Sequence, residues 1–126
     1  MSILYFAKMK MDDQATYVAN MVEGAAKILK QEGHPDQAQK ALDIFNDSGK
    51  TGGLSQFVAS LKSTDAENRK NAINPNNKKP VLQVEDAMER MLKDNGILIP
   101  AKTLLTINEH FMPAAPNVQA IYDANK

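Results

Sequence analysis

His34 and His110 are the only side chains in this 126-residue chain whose ordinary titration falls near neutrality. Of the two, only His110 has an acid directly beside it, Glu109. Adjacent helical residues point about 100° apart, so the pair does not face itself. An enzyme built on His110 as general base therefore needs a carboxylate from elsewhere in the fold. His34, between Gly33 and Pro35, reads as a connector residue at a helix end. Two histidines cannot supply a three-histidine metal site within one chain. The chain has no Cys, which removes disulfides, thiolate nucleophiles, Fe–S clusters and cysteine-based zinc sites. No cofactor is expected from these residues.

Two further residues point to binding rather than reaction. Asn108 follows Ala101 by seven positions and precedes Phe111 by three, which puts it on the apolar side of a helix. A buried amide there must find partners, in a neighbouring backbone or in a ligand. Gly24 falls mid-helix, where Gly costs about 1 kcal/mol relative to Ala. Close approach of a second helix explains it, as does a ligand lying against bare backbone. Gly24, Asn108 and His110 are thus the candidate ligand-binding residues of an inter-helical pocket.

Two motifs fail on spacing. Gly49-Lys50-Thr51 matches the end of a phosphate-binding P-loop, but the first glycine that the loop requires is replaced by Ile44, and the segment follows a helix rather than a strand. A calcium loop starting at Asp47 ends on Val58, and one with Gly49 as turn glycine runs from Ile44 to Ser55. Neither frame supplies the bidentate acid at position 12. Asp94-Asn95-Gly96 fails likewise, with Met91 and Lys102 at its ends. These segments read as helix connectors.

The N-terminal arm, residues 1–11, is the strongest candidate for an interaction surface. Ile3, Leu4, Tyr5, Phe6, Met9 and Met11 precede the first capped helix and must be buried somewhere. Docking on the chain's own core is one solution. Docking on a protein partner or a second copy of the chain is the other, with Leu4, Tyr5, Phe6, Met9 and Met11 as the contacting residues, since Met and aromatic side chains adapt well to surfaces.

The elements around these residues are read as helices. Residues 12–32 repeat apolar positions at three and four steps, from Ala15 to Leu29, with Asp12 or Asp13 as cap and Gly33 as stop. Pro35 opens a second helix to about 47, and a third is expected over 54–62. Thr64 with Glu67 matches a capping box, so the chain is expected to restart or bend there and run to Ile73 with Ala66, Ala72 and Ile73 inward. Residues 74–80 form a polar loop between two helical halves. Helices are expected over 82–94 and 100–111, with a short one at 117–124. Ser2–Ala7 and Ile97–Ile99 are apolar enough to pair as a very short β ribbon.

The expected architecture is therefore a single all-α domain over 1–126, an irregular bundle of five to seven helices. Its core is placed at Val18, Val22, Ile28, Leu42, Phe45, Phe57, Leu61, Met88, Leu92, Leu104 and Ile107. Charge excludes further function classes. Fifteen basic residues balance fifteen acidic ones, without the basic excess of a general nucleic-acid binder. Only Arg69 and Arg90 carry the guanidinium fork favoured for phosphates. No apolar run approaches the ~20 residues of a membrane helix. The five-residue run Ile3–Ala7 is too short for a signal sequence, and its lysines follow rather than precede it. A cytoplasmic location is the expectation. The leading functional reading is a non-enzymatic interaction or regulatory module that self-associates. A small-ligand binding protein and an enzyme using His110 are the alternatives.

Overall fold

A computed structural model describes residues 1–46, 53–76 and 78–111. Six helices occur in that part, and no strand. The first, α1 (Ile3–Ala7), replaces the expected ribbon. Its cause is local: the Ser2 hydroxyl accepts from the Tyr5 N–H at 3.1 Å, the usual device of a helix start. Ile3, Phe6 and Met9 then recur every third residue on one buried side. The other half of the ribbon, Ile97–Ile99, keeps a strand's alternation of burial, Ile97 and Ile99 buried and Leu98 exposed, but forms no strand.

Helix α2 (Met11–Gln31) buries Tyr17, Val18, Met21, Val22, Gly24, Ala25, Ala26 and Leu29 along one stripe. Asp12 and Asp13 lie within its first turn, at the positive end of the helix dipole, rather than capping it. Gly33 closes the helix with φ +85. The His34 N–H reaches Leu29 O at 2.8 Å and the Gly33 N–H reaches Lys30 O at 3.2 Å, the two bonds of a Schellman stop. Helix α3 (Pro35–Asn46) follows at once and packs back on α2 through Ala38 and Ala41.

Helix α4 (Gly53–Ile73) runs unbroken for 21 residues. The restart expected at Thr64 does not occur, because both residues of the apparent capping box have other partners. The Thr64 hydroxyl is buried and donates to Ser60 O at 2.7 Å, one turn back in the same helix. The Glu67 carboxylate accepts from Arg90. Ala66, Ala72 and Ile73, expected inward, are exposed. Polar side chains attach this half of α4 instead. Asn68 brackets the backbone of Leu82, donating from Nδ2 to its carbonyl and accepting from its N–H, both at 2.8 Å.

Helix α5 (Val84–Asp94) starts where the Gln83 N–H donates to Asp86 Oδ2 at 2.7 Å. It stops at Gly96, φ +79, with the Ile97 N–H on Leu92 O at 2.8 Å. Pro100 opens α6 (Ala101–Phe111), whose Leu104 and Ile107 are fully buried. The expected helix 117–124 and the 47–52 connector lie outside the described residues.

Helix α6 packs on both α2 and α5, and α5 packs on α4. Phe6 brings α1 into the same core: its ring meets Tyr17 of α2 edge-on at 5.9 Å and Phe57 of α4 at 5.7 Å. Of the expected core, Val18, Val22, Phe57, Met88, Leu92, Leu104 and Ile107 are buried, while Ile28, Leu42, Phe45 and Leu61 pack around its edge.

Candidate functional site

The most unusual chemistry in the fold is an ion pair on a buried carboxylate, Glu85. The first residue, Met1, lies beside α1, and its carbonyl accepts from the Val84 N–H at 2.9 Å, at the start of α5. That contact holds the α-ammonium of Met1 over Glu85. The ammonium nitrogen is 2.8 Å from each Glu85 carboxylate oxygen and 3.3 Å from Gln83 Oε1. The side chains of Met1 and Glu85 are only 6% and 3% exposed, while Met1 as a whole residue is half-buried. Tyr17, from α2, donates its hydroxyl to the same Glu85 oxygen at 3.2 Å. Burial, reinforced by the Glu85 charge and hydrogen bond, pushes the Tyr17 phenol far above its usual range. It therefore stays a neutral donor. Met1 and Tyr17 of α2 thus converge on one carboxylate of α5, 84 and 68 positions along the chain from them.

Next to this cluster is a surface recess of about 310 Å³ between the extended segment before α5 and the start of α6. Pro80, Val81 and Leu105 give it apolar walls, and Gln83, Asp86 and Lys102 give it polar ones. Its volume is at the lower end for small-molecule sites, which span roughly 300–1,000 Å³. A smaller recess, about 210 Å³, adjoins the other side of Val81 and is lined by Asn68 and Asn71 of α4.

The candidate arm residues separate into two sets. Phe6 and Met9 are 3% and 6% exposed, committed to the chain's own core, and so offer almost no surface to a partner in this conformation. Leu4 and Met11 are 70% and 80% exposed. Tyr5 lies between these extremes. A period-two reading of the arm could not make this division, because it follows from a helical spacing of three.

Gly24 faces no cavity. Ile107 of α6 fills the space over its backbone, with Cγ2 closer to the position of a Cβ than any real contact allows. The ligand role proposed for Gly24 is thereby replaced by close helix–helix packing. Asn108 and His110 fall on α6, but their side chains lie outside the described part of the chain. The recess is formed by residues 80–86 and 101–105, so it is distinct from the pocket expected near Gly24. His34 is exposed at the connector after α2.

Among the described residues, no three His, Asp or Glu side chains converge as metal ligands, and no helix is long and apolar enough to cross a membrane. The sequence signal that might have singled out Glu85 is weak, since a Glu in the first turn of a helix is commonplace. No family model, curated protein or solved structure matches the chain.

Proposed function

We propose that this chain is a non-enzymatic interaction or regulatory module that associates with a second copy of itself through its N-terminal arm. The supporting observation is the division of the arm into anchors and free side chains. Ile3, Phe6 and Met9 fix the arm on the core, leaving Leu4 and Met11 exposed at 70% and 80%. Apolar side chains carried on an anchored support lose less freedom on association than those on a loose tail. A formal net charge of zero adds no long-range repulsion between copies.

The test uses the whole chain, because removing residues 1–10 would also remove three core residues and the Met1 ammonium. Native mass spectrometry and sedimentation are compared for the parent and for Leu4→Ser/Met11→Gln. Both substituted positions are exposed, so the melting temperature of the monomer should hold. The expected result is a dimer that the double substitution converts to monomer. A parent that remains monomeric at high micromolar concentration, or a dimer indifferent to the substitutions, removes the reading.

The 310 Å³ recess favours a second reading, a small-ligand binding protein. Its apolar walls with Gln83, Asp86 and Lys102 suit a small molecule carrying both an apolar part and a polar or charged group. A metabolite-class screen by thermal shift tests it, since preferential binding to the folded state raises Tm. A hit abolished by Leu105→Glu supports the recess, whereas a hit unaffected by that change places the ligand elsewhere.

A further inference from the structure

We propose that the last turns of α4 and the loop that follows them dock on an anionic phospholipid bilayer. Ile73 and Val81 enter the interface, and Arg69, Lys70, Lys78 and Lys79 face the headgroups. The inference does not depend on self-association through the N-terminal arm.

A surface helix ordinarily turns its apolar residues inward and its polar ones outward. The second half of α4 does the reverse. Thr64 is buried and Glu67, Asn68 and Asn71 are half-buried, whereas Ala66, Ala72 and Ile73 are exposed. Polar joints replace the missing apolar ones: Thr64 on Ser60 O, Glu67 with Arg90, and Asn68 on both sides of the Leu82 backbone. The outward face is thereby left with apolar side chains that nothing in the fold covers. Ile73 is 82% exposed, and Val81, across the loop, is 74% exposed. The two belong to one end of the molecule. Asn68 holds Leu82, the neighbour of Val81, against α4, and Ala72, Lys79 and Val81 line the same 210 Å³ recess.

That end is also basic. From position 68 to position 84 the sequence carries four cations, Arg69, Lys70, Lys78 and Lys79, and no acid. All four are exposed. Arg69 meets Asp65 at 3.1 Å, a surface pair that water and salt weaken. The Glu67 carboxyl is held below its ordinary range by the Arg90 hydrogen bond, and Lys79 and Lys70 act in the same direction. Cations from the helix and from the loop therefore surround one carboxylate that Arg90 already occupies.

Shape and charge favour a bilayer over a protein. Every described residue from 72 to 81 is exposed, so the loop projects from the bundle. A protein interface needs a matched surface of about 800 Å² on each partner. A bilayer needs only projecting apolar side chains with cations beside them. The same face of a second copy would bring like charges together, which is unfavourable.

The test is co-sedimentation of the 126-residue chain with vesicles of phosphatidylcholine alone or with about 30 mol% phosphatidylserine. Partitioning into the anionic vesicles should be at least about tenfold stronger, and should be lost between about 0.1 M and 0.5 M salt. Lys70→Gln/Lys78→Gln should weaken it by about tenfold or more. Ile73→Ser/Val81→Ser should weaken it by about tenfold. All four positions are exposed, so Tm should hold in both variants. Because the chain has no Cys, Asn76→Cys carries an environment-sensitive dye at the loop alone. Its emission should shift to the blue with anionic vesicles, while the same dye at Asp36→Cys on α3 should not respond. Equal binding to both kinds of vesicle overturns the proposal, as does binding that survives both double substitutions or a dye at 76 that stays in water. Tight binding to soluble polyglutamate with no vesicle binding also overturns it, and assigns the face to an acidic protein.

Discussion

Gly24 is where α6 comes closest to α2, and replacing it with alanine sets two effects of opposite sign against each other. In a helix interior, alanine is favoured over glycine by about 1 kcal/mol. Here the new methyl would lie inside the envelope of Ile107 Cγ2, with Ile107 Cβ and Cγ1 at 3.6 and 3.8 Å. Overpacking of a filled core costs typically about 1–3 kcal/mol. The upper half of that range applies. Ile107 is fully buried, and a β-branched side chain in a helix has essentially one rotamer, so the methyl cannot swing away. Gly24→Ala should therefore destabilise by about 1–2 kcal/mol net, a fall in Tm of roughly 4–10 °C. Urea and thermal unfolding followed by circular dichroism measure it. Ile107→Leu is the companion change, of equal volume but with no methyl on Cβ. In that background the cost of Gly24→Ala should shrink by at least about 1 kcal/mol, the coupling expected of residues in contact. A Gly24→Ala protein as stable as the parent, or more stable, would refute the reasoning, since a glycine facing solvent or an empty cavity would gain about 1 kcal/mol from the change.

Three other substitutions follow from the polar joints. Asn68→Ala leaves the Leu82 N–H and C=O without the side chain that brackets them; it should cost about 1–3 kcal/mol in urea unfolding and speed exchange of the Leu82 amide, and an unchanged exchange rate counts against the clamp. Thr64→Val removes a hydroxyl whose acceptor, Ser60 O, already belongs to the unbroken helix α4, so stability should move by less than about 1 kcal/mol; a loss near 2 kcal/mol would instead be the behaviour of a helix cap. Tyr17 bears on pH. Its phenol is held far above its ordinary value, so above about pH 10 the unfolded chain has lost this proton while the folded chain keeps it, and stability falls as pH rises. Tyr17→Phe should flatten that alkaline decline in urea midpoints taken at pH 8 and pH 11, and identical declines in the two proteins would exclude Tyr17 as its source.

The helices that could be read from sequence are those whose apolar residues keep a helical period and whose ends carry a glycine. α2 and α5 are the clearest, both stopped by a glycine at positive φ. The strand reading of Ser2–Ala7 fails because Ile3 to Ala7 is apolar at every position, so period two and period three fit equally well. Ser2 decides between them, and its role as a cap is visible only once the chain turns there. Thr64 and Glu67 misled for the opposite reason. The local pattern was correct, but one residue bonds back along its own helix and the other bonds to α5.

Gly24 and Glu85 mark the boundary of what local pattern can reveal. Both hold distant elements together, Gly24 by admitting α6 and Glu85 by gathering Met1 and Tyr17. Gly24 was singled out because a mid-helix glycine contradicts its own helix, and such a conflict signals a compensating tertiary contact. Glu85 contradicts nothing. It is a good helix former in a first turn, where negative charge is favoured. Nothing in the residues around it distinguishes a solvated carboxylate from one buried under an ammonium 84 positions away. Its neighbour Asp86 lies in the same turn, is half-buried, and caps the helix by accepting from the Gln83 N–H. Of two adjacent acids with the same local credentials, one terminates a helix and the other closes a three-element joint. The difference is set by a direction of about 100° around the helix axis, and only the packed fold assigns that direction to the core.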